Sequence, residues 1–127
     1  MDLIIIHVFP LSSDLGLDCV FVLSKNNDGF KIGQRGKGPG EFRDPTGILV
    51  DDVGNMIIVD CRNHRLQIIN GEHSCIGFLK SSTAFARPMK VFMDHNSEEV
   101  FLSNRGSGSV VKFRVKKNPK FNTKFKP

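Results

Sequence analysis

Phe42-Arg43-Asp44-Pro45-Thr46-Gly47-Ile48-Leu49-Val50-Asp51 returns 43 positions later as Phe85-Ala86-Arg87-Pro88-Met89-Lys90-Val91-Phe92-Met93-Asp94. Phe, Pro and Asp coincide, and Ile48 and Val50 meet Val91 and Met93. The same offset sets Ile57 and Val59 on Val100 and Leu102. An offset of 44 then sets Leu66, Gln67, Ile68 and Ile69 on Val110, Val111, Lys112 and Phe113, which predicts a one-residue insertion in the intervening loop. A period of about 40 to 50 residues made of short apolar strands is the signature of propeller blades. The chain is therefore read as an array of like units, with function sought in the loops.

Within the first unit, Thr46 to Asp51 reads as a strand closed by the turn-forming cluster Asp52-Val53-Gly54-Asn55, because Gly and Asn tolerate left-handed backbone angles. Met56 to Asp60, Arg65 to Ile69 and Cys75 to Leu79 supply three more strands, and four antiparallel strands make one blade. The second unit repeats them as Met89 to Asp94, Glu99 to Ser103, Ser109 to Val115 and a candidate at Lys120 to Phe125. Upstream, Asp18 to Leu23 and Phe30 to Gly33 read as the last two strands of an earlier blade, with Ile4 to Val8 fitting its second. No segment holds a helical period, so the fold class is all-β, a partial, open β-propeller of four-stranded antiparallel blades. The units are 1–33 (partial blade), 34–79 (complete blade), 80–115 (divergent second blade) and 116–127 (basic tail or final outer strand).

Gly33 to Phe42 reads G-Q-R-G-K-G-P-G-E-F, followed by Pro45, G-I-L-V-D, G-N-M-I-I-V-D and N-H-R-L-Q-I-I. That succession resembles an NHL repeat, whose Asn-His-Leu signature has a counterpart in Asn63-His64 followed by Arg65 and Leu66. The likeness is specific over residues 30 to 79 and weaker over 80 to 125, where Gly106-Ser107-Gly108 replaces the Asn-His-Arg segment. It is closest to the TRIM-NHL family, and the resemblance implies a six-bladed propeller at the C-terminus of a longer chain. Two full blades and part of a third leave strand edges and inter-blade faces open. The chain is thus expected to be a fragment or one part of a larger assembly, marginally stable alone and prone to self-association.

Composition is ordinary for a globular chain, 39% hydrophobic and 24% charged. Leu3 to Val8 is too short to cross a bilayer and follows an acid where a secretory signal would carry basic residues, so no membrane partner is expected. Cys19, Cys61 and Cys75 are odd in number and form no C-x-x-C pair, which fits reduced thiols and a cytoplasmic location. The net charge of +5 owes much to the end of the chain. Lys112, Arg114, Lys116, Lys117, Lys120, Lys124 and Lys126 stand there with no acid among them, leaving eleven basic residues against 13 acids before them.

Those remaining charges are polarised once the loops are sorted. Second-to-third strand loops and blade-to-blade loops share one rim of a propeller. It collects Arg35, Lys37, Arg43, Arg62, Arg65, Lys80, Arg87 and Arg105 against Glu41, Asp44 and Asp60. The opposite rim collects Lys25 against Asp28, Asp51, Asp52, Glu72, Asp94, Glu98 and Glu99. A basic rim concentrates anionic partners. Single-stranded RNA is held by Arg and Lys on phosphates, with bases stacked on aromatic or guanidinium planes. The expected binding residues are Arg35, Lys37, Arg43, Arg62, Arg87 and Arg105, with Asn63 and His64 as base-edge readers. Some TRIM-NHL relatives use this rim for RNA and others for proteins, so the resemblance implies a binding surface more firmly than a ligand; the basic rim puts single-stranded RNA slightly ahead, with a protein partner as the alternative. Phe42 and Phe85 are expected to plug the space between blades, and Asp60 and Arg65 to tie one loop.

Catalysis is not expected. Cys61-x-x-His64 and His73-x-Cys75 hold zinc-ligand types but fall on opposite rims, about 15 Å apart at 3.3 Å per residue. Gly36, Gly38 and Gly40 are interrupted by Pro39, and no Gly-Lys-Ser/Thr follows. There is no G-x-S-x-G elbow, and the innermost strands carry no metal ligands. No cofactor, metal or small-molecule substrate is expected. If the parent protein is a RING ubiquitin ligase, three Cys and four His cannot build that domain here, and this piece would choose the target.

Overall fold

The computed structural model describes residues 3–9, 18–24, 29–50, 55–79, 84–94, 96–97 and 99–114; of 3–9, 23, 24 and 30 it describes the backbone only. These residues form three antiparallel sheets. The first is β1 (Leu3–Phe9), β2 (Cys19–Ser24) and β3 (Gly29–Ile32). The second is β4 (Pro45–Val50), β5 (Met56–Asp60), β6 (Arg65–Ile69) and β7 (Cys75–Phe78). The third is β8 (Pro88–Met93), β9 (Val100–Asn104) and β10 (Ser109–Phe113). Strands sit side by side in chain order in every sheet, and single 3-10 turns at Cys61–Asn63 and Arg105–Ser107 join β5 to β6 and β9 to β10. The chain is all-β, and among the described residues no helix is long and apolar enough to cross a membrane. The tail and the candidate strand Lys120 to Phe125 lie outside the described residues, as do Lys25, Asp28, Asp51, Asp52, Lys80 and Glu98.

Burial explains why β5 is apolar from Met56 to Val59 and buried throughout, while burial alternates along β9. All five residues of β5 are buried because the second sheet is covered on both faces. Met56 and Ile58 join Val20, Val22, Ile32, Phe42 and Ile69 in a core shared with the first sheet. Ile57 and Val59 join Leu49, Leu66, Met93, Val100 and Leu102 in a core shared with the third. Fully burying one such side chain stabilises by about 1.5–3 kcal/mol, so these two seams hold the sheets together. In β9 only Val100, Leu102 and Asn104 are buried. Phe42 is fully buried as the plug of the first seam, and Phe85 packs against the second.

Pairing registers correct one detail of the repeat. Pro45 pairs Asp60 and Val50 pairs Met56, while Pro88 pairs Asn104 and Met93 pairs Val100. Met56 therefore matches Val100, and Ile57 matches Phe101, not Val100. The extra residue falls between the first and second strands of the unit, ahead of β9, instead of in the later loop. The distinction matters because side chains alternate between faces, so a one-residue slip reverses which face each one occupies. Val100 faces the second sheet and Ile57 faces the third.

Candidate functional site

Residues 33 to 44 connect β3 to β4, and their shape is set by one buried carboxylate. The Asp60 side chain is fully buried and accepts four hydrogen bonds: from Arg43 N at 2.7 Å, Asn63 Nδ2 at 3.0 Å, Arg65 Nε at 2.7 Å and Gln67 Nε2 at 3.0 Å. Buried charge is tolerable only when paired and hydrogen-bonded in this way. Arg65 extends the knot by donating to the carbonyls of Lys37, Gly38 and Glu41, and its guanidinium lies 4.6 Å from the centre of the Phe78 ring. Asn63 Nδ2 also donates to Gly36 O. Within the loop, Glu41 accepts from Gln34 Nε2 and Gly38 N, and these bonds hold its carboxyl below its ordinary pKa. The tie between Asp60 and Arg65 is thus part of the scaffold.

Over this scaffold lie two adjoining depressions. The smaller, about 50 Å³, is lined by Asp18, Arg35, Arg43, Asp44 and Arg62. The larger and open one, about 420 Å³, is lined by Arg43, Arg62, His64 and Arg87. Five of the expected residues, Arg35, Arg43, Arg62, His64 and Arg87, therefore converge. Lys37 is exposed on the same connection as Arg35 and Arg43, and Arg105 sits in the second 3-10 turn with its N–H on Arg87 O at 3.3 Å; neither lines these two depressions. Asn63 is directed inward, its amide nitrogen bound to Gly36 and Asp60. His64 is exposed, and its Nδ1 accepts from Arg87 N at 3.0 Å, which joins the turn of the second sheet to the approach of the third.

Asp18 belongs to the site although the sequence reading placed it as the first residue of a strand. It is buried, its Oδ1 accepts from Asp44 N, and its Oδ2 lies 3.9 Å from Arg35 Nε. Arg62 pairs likewise with Asp44 at 3.6 Å. Among the described residues this rim carries seven cations, Arg35, Lys37, Arg43, Arg62, Arg65, Arg87 and Arg105, against four acids, Asp18, Glu41, Asp44 and Asp60. It stays basic, but the acids are interleaved with the arginines. Arg43 Nε and Asp44 Oδ1 are buried without a hydrogen-bond partner.

Three residues flanking the larger depression hold left-handed backbones without being glycine: Asp44 (φ 54), His64 (φ 55) and Arg87 (φ 48). Such conformations cost about 1–2 kcal/mol each and concentrate at functional sites. Asp44 and Arg87 occupy matching positions ahead of Pro45 and Pro88, whereas His64 matches Gly108 at φ 63. At Gly106, the counterpart of Arg62, a Cβ would stand 2.6 Å from Ala86 Cβ. The depression thus lies at the side-chain-rich turn of the second sheet and not at the bare turn of the third. Beneath it, Cys61 is buried and approaches Met89 Sδ at 3.4 Å; burial pushes its thiol pKa up against the lowering influence of Arg87 and Arg105.

No protein-family model matches the chain, and no curated protein matches it significantly.

Proposed function

We propose that this chain is part of an NHL-type β-propeller and acts as a non-catalytic recognition module that takes single-stranded RNA on its basic rim. The supporting observation is the convergence of Arg43, Arg62, His64 and Arg87 on one open recess of about 420 Å³, with Arg35 in the depression beside it. Guanidinium groups offer phosphates bidentate hydrogen bonds and offer bases a flat stacking surface. With the Asn63 amide nitrogen committed to the loop, base reading falls to His64 and the guanidinium planes. In this reading the module serves a TRIM-NHL post-transcriptional regulator or ubiquitin ligase in the cytoplasm, any RING activity being carried elsewhere in the parent protein.

Charge reversal at Arg35, Lys37 and Arg62 tests it. The arginines of both ion pairs are more than half exposed and the N–O distances are long, but Asp18 is buried, so the fold of the variant is checked by circular dichroism before binding is measured. The triple Glu variant should fold normally yet lose binding to a single-stranded RNA library in filter or fluorescence titrations. Wild-type affinity should fall with salt by about 0.7 log units per log unit of salt for each phosphate contact. Unchanged affinity in the variant removes these residues from the site. A protein partner on the same rim is the second reading, favoured by Asp18 and Asp44 standing among the arginines, a pattern that matches mixed charge better than phosphate alone. A mainly apolar protein contact would show weak salt dependence.

A further inference from the structure

The larger depression on the rim differs from its neighbour in the sign of its lining. Arg43, Arg62, His64 and Arg87 surround it, and no carboxylate among the described residues joins them. In the smaller depression Arg43 and Arg62 are accompanied by Asp18 and Asp44. Of the three guanidinium groups around the larger one, only that of Arg62 has an ion pair among the described residues, 3.6 Å long to Asp44 and with the Arg62 side chain 54% exposed. Arg43 has its Nε buried with no hydrogen-bond partner among them. A cationic group buried without an acceptor is costly. Negative charge delivered to the other nitrogens of the same guanidinium offsets part of that cost.

His64 adds a further donor. Its Nδ1 accepts from Arg87 N at 3.0 Å, so the ring proton sits on Nε2 and the imidazole meets a ligand as a donor. The matching turn of the third sheet has Gly106 and Gly108 where Arg62 and His64 stand. Glycine holds φ 63 there freely, whereas His64 holds φ 55 against the steric penalty of a Cβ. The recess therefore presents side-chain donors and positive charge, at a turn whose backbone would be relaxed with glycine.

Charge and donor number define the group that suits it. A bridging phosphodiester carries one negative charge on two free oxygens, whereas a terminal phosphomonoester carries about −1.5 to −2 on three. Guanidinium groups from three arginines, with an imidazole N–H, match the terminal group better. The carboxylates of the smaller depression disfavour a second phosphate beside it, so a continuous track of phosphates is interrupted on that side. We propose that the larger depression holds the terminal phosphomonoester of a single-stranded RNA, which makes the module a reader of strand ends. This rests on RNA as the ligand of the rim and adds which part of the strand the recess takes.

Competition against an end-labelled oligouridine of about ten nucleotides, read by fluorescence anisotropy with the full chain, tests the proposal. The unlabelled competitors are the same strand with hydroxyls at both ends, with a 5′-phosphate or with a 3′-phosphate, and a hydroxyl-ended strand one nucleotide longer, which controls for added charge. One phosphorylated strand should bind about 10- to 100-fold tighter than both hydroxyl-ended strands, the scale of one further charge-assisted contact, and the arm that does so assigns the end. Arg87→Asn removes a guanidinium while keeping a residue that tolerates the left-handed backbone, and should bring that ratio within about threefold of unity. Should circular dichroism show that this variant loses β structure, Arg43→Gln takes its place with the same expected outcome. Equal affinity for phosphorylated and hydroxyl-ended strands overturns the proposal and leaves RNA binding standing, whereas no binding by any strand overturns both. An unchanged ratio in a folded variant also overturns it. So does a phosphoserine peptide that competes better than every RNA, a result that would assign the recess to a phosphorylated protein.

Discussion

Replacing Asp60 with alanine should lower the free energy of unfolding by about 3–4 kcal/mol, and the bonds it makes set that figure. Breaking a buried ion pair from one side costs about 3–5 kcal/mol. Arg65 keeps the carbonyls of Lys37, Gly38 and Glu41 after the change, Gln67 Nε2 keeps Glu41 O, and Asn63 Nδ2 keeps Gly36 O, which places the loss toward the low end. Arg43 N loses its 2.7 Å acceptor, and an unsatisfied buried donor costs about 1–3 kcal/mol. Asn104 shows what asparagine does at the matching position: its Oδ1 accepts from Ala86 N while its Nδ2 donates to Ala84 O. Asp60→Asn should keep the bond from Arg43 but turn an amide donor toward Asn63, Arg65 and Gln67, for a loss of about 2 kcal/mol. Urea unfolding at one fixed protein concentration measures both, since association would otherwise shift the midpoint. Hydrogen exchange should show the amides of Gly36 and Phe42, which bond Phe42 O and Gln34 O, opening first. A loss below about 1 kcal/mol for alanine, or equal losses for the two variants, would refute the account of Asp60 as the centre of the loop.

Gly33→Ala should destabilise by about 2–4 kcal/mol, because φ is +83 and the added Cβ would meet the fully buried Phe42 ring at 2.4 Å. Gly40→Ala, at φ +77 with nothing within 4 Å of its Cβ, should cost only about 1–2 kcal/mol, and equal urea midpoints would show that crowding against Phe42 is absent. Glu41 supplies a pH dependence. Its folded pKa lies below the ordinary 4.5 because of the Gln34 side-chain and Gly38 backbone hydrogen bonds, so its stabilisation is present above 4.5 and is lost as pH falls through the folded value. Glu41→Gln should flatten that acid limb in unfolding midpoints, and an unchanged limb would assign it to other carboxylates.

How much of this could be read beforehand differed by element for physical reasons. Met56–Asp60 and Arg65–Ile69 stand where expected, since buried apolar runs between turn residues leave little freedom in their ends. β4 and β8 begin one residue earlier than expected, at Pro45 and Pro88, because proline is tolerated as the first residue of a strand. The shift of register before β9 was hidden because Val100 and Phe101 are both apolar, and only pairing tells which one faces inward. The left-handed turns at Asp44 and Arg87 had no signal, as a residue before proline is biased toward extended backbone. Convergence of Arg35, Arg43, Arg62, His64 and Arg87 followed from loop sorting. Asp18 escaped because its role depends on meeting Asp44, 26 positions away, across the seam between two sheets.

Arg65 grips residues 37 to 41 by their main-chain carbonyls, a choice with consequences for how this surface can change over generations. Carbonyl oxygens are the same whatever residue carries them, so exposed positions such as Lys37 and Pro39 can be exchanged while the curve of the loop persists. Gly38 is an exception, since a Cβ there would press on Glu41 Oε1 at 2.7 Å. Selection can thus rewrite the side chains this loop displays one at a time, without rebuilding the frame that presents them.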